Sequence, residues 1–207
     1  MRRFFSAAAV MVMLLPTVAQ AVPLGLILND SPDITSVFMD TSYNAGTQSL
    51  AVSGFSATLD DDGVGPAIDF DNFGTFDILA SIDNSGVPLG GSLTITGDLT
   101  STLGLSGTLL TGTLTDFGWF GTTRAGFEFL FQVTGGLLAT AQYYGLPGAS
   151  VGVIYDSGED VFNGTFLSSF SSSGFGSGYS DSAPIPEPTT LSLLFAAAFL
   201  SRRPKNR

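Results

Sequence analysis

Oxygen ligands are the first chemistry that the chain offers. Asp60, Asp61 and Asp62 stand together before Gly63, and Asp69, Asp71 and Asn72 follow shortly after. Carboxylates this dense repel one another unless a cation or water screens them. Calcium takes about 6 to 8 oxygen ligands, and a glycine-containing loop lets backbone carbonyls join the carboxylates. The spacing is not that of an EF-hand, because D-x-D-x-D-G and the closing Glu are missing. Two readings remain: calcium held by Asp60, Asp61, Asp62, Asp69 and Asp71, or a solvated hairpin turn, which ordinarily contains Asp and Gly.

Trp119, with Phe117 and Phe120 and beside Arg124, is the second constellation. Aromatic faces stack on sugar rings and a guanidinium hydrogen-bonds hydroxyls. A lone tryptophan in a β domain is also a core residue. Catalysis finds little support. The chain has no histidine and no cysteine, which removes Ser-His-Asp and Cys-His chemistry and the usual zinc ligands. Glycoside hydrolysis needs two facing carboxylates, yet Glu128 falls on the outer side of an aromatic strand, Glu159 in an acidic turn with Asp160, and Glu187 between two prolines. The expectation is a protein that is not an enzyme. Asn163-Gly164-Thr165 matches a glycosylation acceptor and equally an Asn-Gly turn.

The elements that must position these residues repeat with a period of two. Phe76, Ile78, Ala80 and Ile82 alternate with polar neighbours, and Phe127, Phe129, Phe131 and Val133 line one face of a second strand opposite Glu128. Shorter candidates are 24–28, 34–39, 50–59, 93–99, 108–117 and 151–155. Turn signals at Asp62-Gly63, Asn84 to Gly86, Gly90-Gly91, Gly135-Gly136 and Asn163-Gly164 separate them. No sustained helical stripe occurs between Val22 and Ser182. The expectation is an all-β fold, an antiparallel β-sandwich or jelly roll, spanning 22–167. Residues 168–183, rich in Ser and Gly, read as a flexible spacer, with a last edge strand through Phe170, Phe175 and Tyr179 as the alternative.

Charge narrows the partners. Six of the 7 basic residues lie near the two ends, so Arg124 alone opposes 18 acidic residues between Asp30 and Glu187. Such a surface repels phosphate backbones and anionic lipid head groups, which argues against nucleic acid and peripheral membrane docking and favours divalent cations.

Both ends carry targeting features. Arg2 and Arg3, the apolar run from Phe4 to Leu15 and the Ala19-Gln20-Ala21 site make residues 1–21 a secretory signal peptide. At the other end, Pro186-Glu187-Pro188 precedes an apolar run from Leu191 to Leu200 and a basic tail of Arg202, Arg203, Lys205 and Arg207. The prolines fix their φ angles and remove two donors, so Ile185 to Pro188 should be an accessible, extended strip. The apolar run is short for a transmembrane helix, which takes about 20 residues, but the cations behind it favour the cytoplasmic side and extend the span by snorkelling.

The order of motif, apolar helix and basic tail in 184–207 resembles the PEP-CTERM sorting signal, with Ile185 where that family often has Val. The resemblance implies a bacterial cell envelope, temporary anchoring in the membrane, and processing at Pro186, Glu187 and Pro188 by an exosortase, a membrane transpeptidase. The expected product is an acidic surface or extracellular-matrix module with divalent ions as cross-links. Its rival is a carbohydrate-binding module that meets extracellular polysaccharide through Trp119.

Overall fold

The computed structural model describes residues 23–28, 30–121, 126–158, 162–172 and 176–185. The expected signal peptide at 1–21 and, of the expected sorting signal at 184–207, everything from Pro186 onward lie outside the described residues, as does Arg124.

Period-two alternation becomes strands throughout. They are β1 (Asp33–Asn44), β2 (Ser49–Asp60), β3 (Ile68–Asp69), β4 (Phe76–Ile82), β5 (Pro88–Leu99), β6 (Leu105–Phe120), β7 (Gly126–Gly135), β8 (Ser150–Asp156), β9 (Phe170–Ser171) and β10 (Gly178–Ile185). The described residues contain no helix. Chain neighbours pair antiparallel in the order β2-β4-β5-β6-β7-β8-β10-β1, and β1 pairs back to β2. The result is a closed, eight-stranded, up-and-down β-barrel, with β3 and β9 as two-residue additions.

This corrects the expected sandwich or jelly roll. Alternation shows that each strand has a buried face, but not whether the sheet splits into two layers or closes on itself. Closure depends on β10, which pairs with both β8 and β1 and lies mostly inside the stretch read as a spacer. The Ser and Gly of that stretch have a packing role. Gly178, Ser180 and Ser182 are buried on the inner face, and a Cβ at Gly178 would lie 2.9 Å from the Tyr155 ring. Small residues on β10 make room for the aromatic residues of neighbouring strands, as an eight-stranded interior requires. Gly90-Gly91, expected as a turn, lies within β5.

The core fills the barrel. Phe76, Ile78, Ala80 and Ile82 are buried, as are Phe127, Phe129, Phe131 and Val133. Two connections stop the ends. The 136–149 loop places Leu138 and Tyr144 at the mouth where β1 begins and β10 finishes, and the Tyr144 hydroxyl donates to Ser182 O at 2.9 Å. The 162–170 segment sends Phe162 and Phe166 into the opposite mouth, with Phe170 stacked on Tyr43 at 5.3 Å. Ser92, Thr94, Thr113 and Thr115 point outward on β5 and β6, with Leu89 and Phe120 exposed on the same strands.

Candidate functional site

At the mouth stopped by Phe162 and Phe166, Trp119 lies two residues beyond the inward-facing Phe117 on β6 and shares its side of the strand. Its ring is half-buried, edge-on to Phe162 at 5.7 Å and to Phe166 at 5.1 Å. The β4–β5 turn seats against the indole. Asp83 accepts the backbone N–H groups of Ser85 and Val87 at 2.8 and 2.9 Å, and Gly86 takes a φ of 84°. A Cβ at Gly86 would fall 2.3 Å from Trp119 Cζ3, so any side chain there is strained at this φ and must displace the indole.

A groove of about 280 Å³ remains, lined by Asn84, Ser85, Trp119, Thr165, Phe166 and Leu167. The Thr165 hydroxyl accepts Leu167 N–H at 3.2 Å, and the Asn163 side chain accepts Thr165 N–H at 3.2 Å. Asn163-Gly164 is thus a tight turn beside the groove. Trp119 packs on the core, as one of the readings expected, and also lines this concave surface. Phe120 does not join it. That ring lies over Gly126, where a Cβ would come within 2.1 Å.

The acidic constellation is at the other mouth, and only part of it assembles. Carboxylate oxygens of Asp60, Asp61 and Asp62 lie within 4.8 Å of one another. Asp60 accepts the N–H groups of Asp62 and Gly63 at 3.3 and 2.8 Å, and Asp62 those of Val64 and Gly65 at 2.9 and 3.1 Å. Those amides hold the Asp62 carboxyl below its usual range. These bonds are those of Asx turns. Asp69 and Asp71 do not enter the group. Asp69 pairs with Thr58, and Asp71 binds the backbone N–H and hydroxyl of Ser101. Asn72 donates to Asp98 at 3.3 Å. The expected five-residue ligand set is thereby reduced to three neighbouring side chains on one turn.

Glu128 points to the outer side of β7, as expected, yet it is buried rather than solvent-exposed, because residues 23–28 run across that wall. Its carboxylate accepts Gly25 N–H at 3.1 Å and Leu26 N–H at 3.0 Å. It fastens the N-terminal segment to the barrel.

Two groupings escaped the sequence. Asp33 and Asp181 meet across the β1–β10 seam, where Asp33 accepts Ser182 N–H at 3.4 Å and Asp181 Oδ1 is buried without a hydrogen-bond partner. Burial, then the adjacent Asp181 carboxyl, push the Asp33 carboxyl up to about 8. Their separation in the chain is far too great for spacing to reveal them. The second grouping is a set of exposed rings at Phe38, Phe55, Phe73 and Tyr179. A phase change in the Ile34–Met39 alternation was its only local signal.

Compared with models of protein families, with curated proteins and with solved structures, the chain matches none.

Proposed function

We propose that this chain is a non-enzymatic, exported module of a bacterial cell surface or extracellular matrix, anchored at its C-terminus and processed by an exosortase-type transpeptidase. One observation carries the reading. β10, the strand that closes the barrel, ends at Ile185, so the barrel is complete one residue before Pro186-Glu187-Pro188. Cleavage anywhere after Ile185 removes none of the described strands, and the module outlives loss of its anchor. Expression of the chain with an internal epitope tag in an exosortase-bearing host and in its exosortase deletion tests this. Mass spectrometry should find the apolar run and Arg202 to Arg207 removed in the first and retained in the second. Identical C-termini in the two hosts would refute it.

A specific observation also favours carbohydrate binding. The Trp119 groove combines an aromatic surface with the polar groups of Asn84, Ser85 and Thr165, the mixture that saccharide sites use. It also opens at the mouth remote from Ile185. A barrel tethered through Pro186 would turn that groove away from the membrane.

A further inference from the structure

The barrel wall carries aromatic rings where its neighbours are polar. Phe38, Phe55, Phe73 and Tyr179 are 59%, 46%, 63% and 50% exposed. The register places them side by side. Tyr179 on β10 lies between Gly178 and Ser180, whose partners are Met39 and Ser36, so it is opposite the Val37–Phe38 stretch of β1. Val37 pairs in turn with Phe55 on β2, and the Phe55 and Phe73 rings are 6.1 Å apart. Strands are spaced at about 4.8 Å, so the row crosses β10, β1 and β2 over roughly 10 Å before reaching Phe73.

Phe38 is held outward at a cost. It has a φ of 52° in a β-bulge, a conformation rare for a bulky side chain. Glycines allow the bulge. A Cβ at Gly54 would lie 2.6 Å from Met39 Cγ, and one at Gly176 2.2 Å from the Phe38 carbonyl carbon. Asp40, just beyond, accepts Gly176 N–H and the Ser172 hydroxyl, both at 3.1 Å. A strained, buttressed backbone that displays an apolar ring to solvent is a feature of binding surfaces.

We infer that the row Tyr179–Phe38–Phe55–Phe73 is a stacking platform for an uncharged, extended polysaccharide. This site is separate from the Trp119 groove and does not depend on how the chain is processed. Two features select the occupant. The row is one ring wide and bordered by Ser53, Asp40 and Asp156, the last accepting the Tyr179 hydroxyl at 3.4 Å. A narrow strip with hydrogen-bonding margins suits a linear polymer rather than the broad patch of a protein interface. The described residues include no lysine or arginine, so an anionic polymer or a second copy of this acidic chain would be repelled.

The test is retention of the exported protein on microcrystalline cellulose, with alginate beads as the anionic comparison. Phe38→Asn, which tolerates positive φ, Phe55→Thr and Phe73→Ser are combined, and circular dichroism confirms that the barrel persists. Wild type should bind cellulose and not alginate. The triple variant should bind about tenfold or more weakly, while Leu89→Ser, which removes an equally exposed apolar side chain elsewhere on the wall, should bind as wild type does. Absent cellulose binding, equal retention of the triple variant, or an equal loss in Leu89→Ser would each overturn the inference. So would a concentration-dependent dimer that only the triple variant abolishes.

Discussion

Asp33 and Asp181 face each other where the β1–β10 ladder thins, and Asp60, the register partner of Asp33 on β2, adds a third carboxylate. With its pKa raised from 3.8 to about 8, Asp33 keeps in the folded state a proton that the unfolded chain gives up near pH 4. Its stabilising contribution is therefore complete below about pH 4 and is lost as pH rises toward 8. Asp33→Asn should flatten that part of the pH profile and gain about 1–2 kcal/mol over wild type near pH 8, a figure reduced by the carboxyl's partial contact with water. Urea unfolding of both proteins at about pH 5 and pH 8 measures it. An equal pH slope in the two would remove the Asp33 proton from the account. Tyr144 has the contrasting role: burial pushes its phenol up, so it stays a donor to Ser182 while the seam titrates.

Among the elements, β10 decides whether there is a barrel. It supplies seven paired positions to β8 and the seam to β1, and without it both strands become open edges that invite pairing with other chains. A chain ending at Ile185 should give the same far-ultraviolet dichroism and cooperative unfolding as the chain that runs on to Arg207. One ending at Ser177 should aggregate or lose its cooperative transition. If the shorter chain unfolds like the longer, closure is not what stabilises this sheet. The element also sets the distance to the bilayer in the proposed anchored form. With 178–185 inside the barrel, only Pro186 to Thr190 lie between the last strand and the apolar run, at most roughly 17 Å when fully extended. The barrel of the proposed anchored form sits close to the bilayer rather than on a long tether.

At the scale of the whole molecule, the stretch from Asp30 to Glu187 sets 18 acidic residues against Arg124 alone, which makes self-repulsion a general cost of folding. Exposed charges are screened within about 10 Å at 0.1 M salt. Thermal unfolding scanned in sodium chloride should therefore shift upward by a few degrees from low to moderate ionic strength. A midpoint that falls with salt would mean that attractive pairs, rather than repulsion, dominate the surface.

Local rules made much of this legible. The faces of β4 and β7 followed from alternation, and Asp62-Gly63 and Asn84 to Gly86 were readable as turns, because a side chain's direction in a strand and a residue's tolerance of positive φ are local properties. The aspartates at 60, 61 and 62 were visible as a group for the same reason, being adjacent in the chain. What the tertiary structure alone decided is which distant segments meet: β10 with β1 to close the barrel, residues 23–28 over Glu128, Asp33 with Asp181, and Tyr179 beside Phe38. Ser and Gly on β10 look like a linker in isolation. They become a strand because the bulky residues opposite, Tyr155 among them, leave space for small side chains and hydrogen-bonding partners for the backbone, and neither is written within the segment itself.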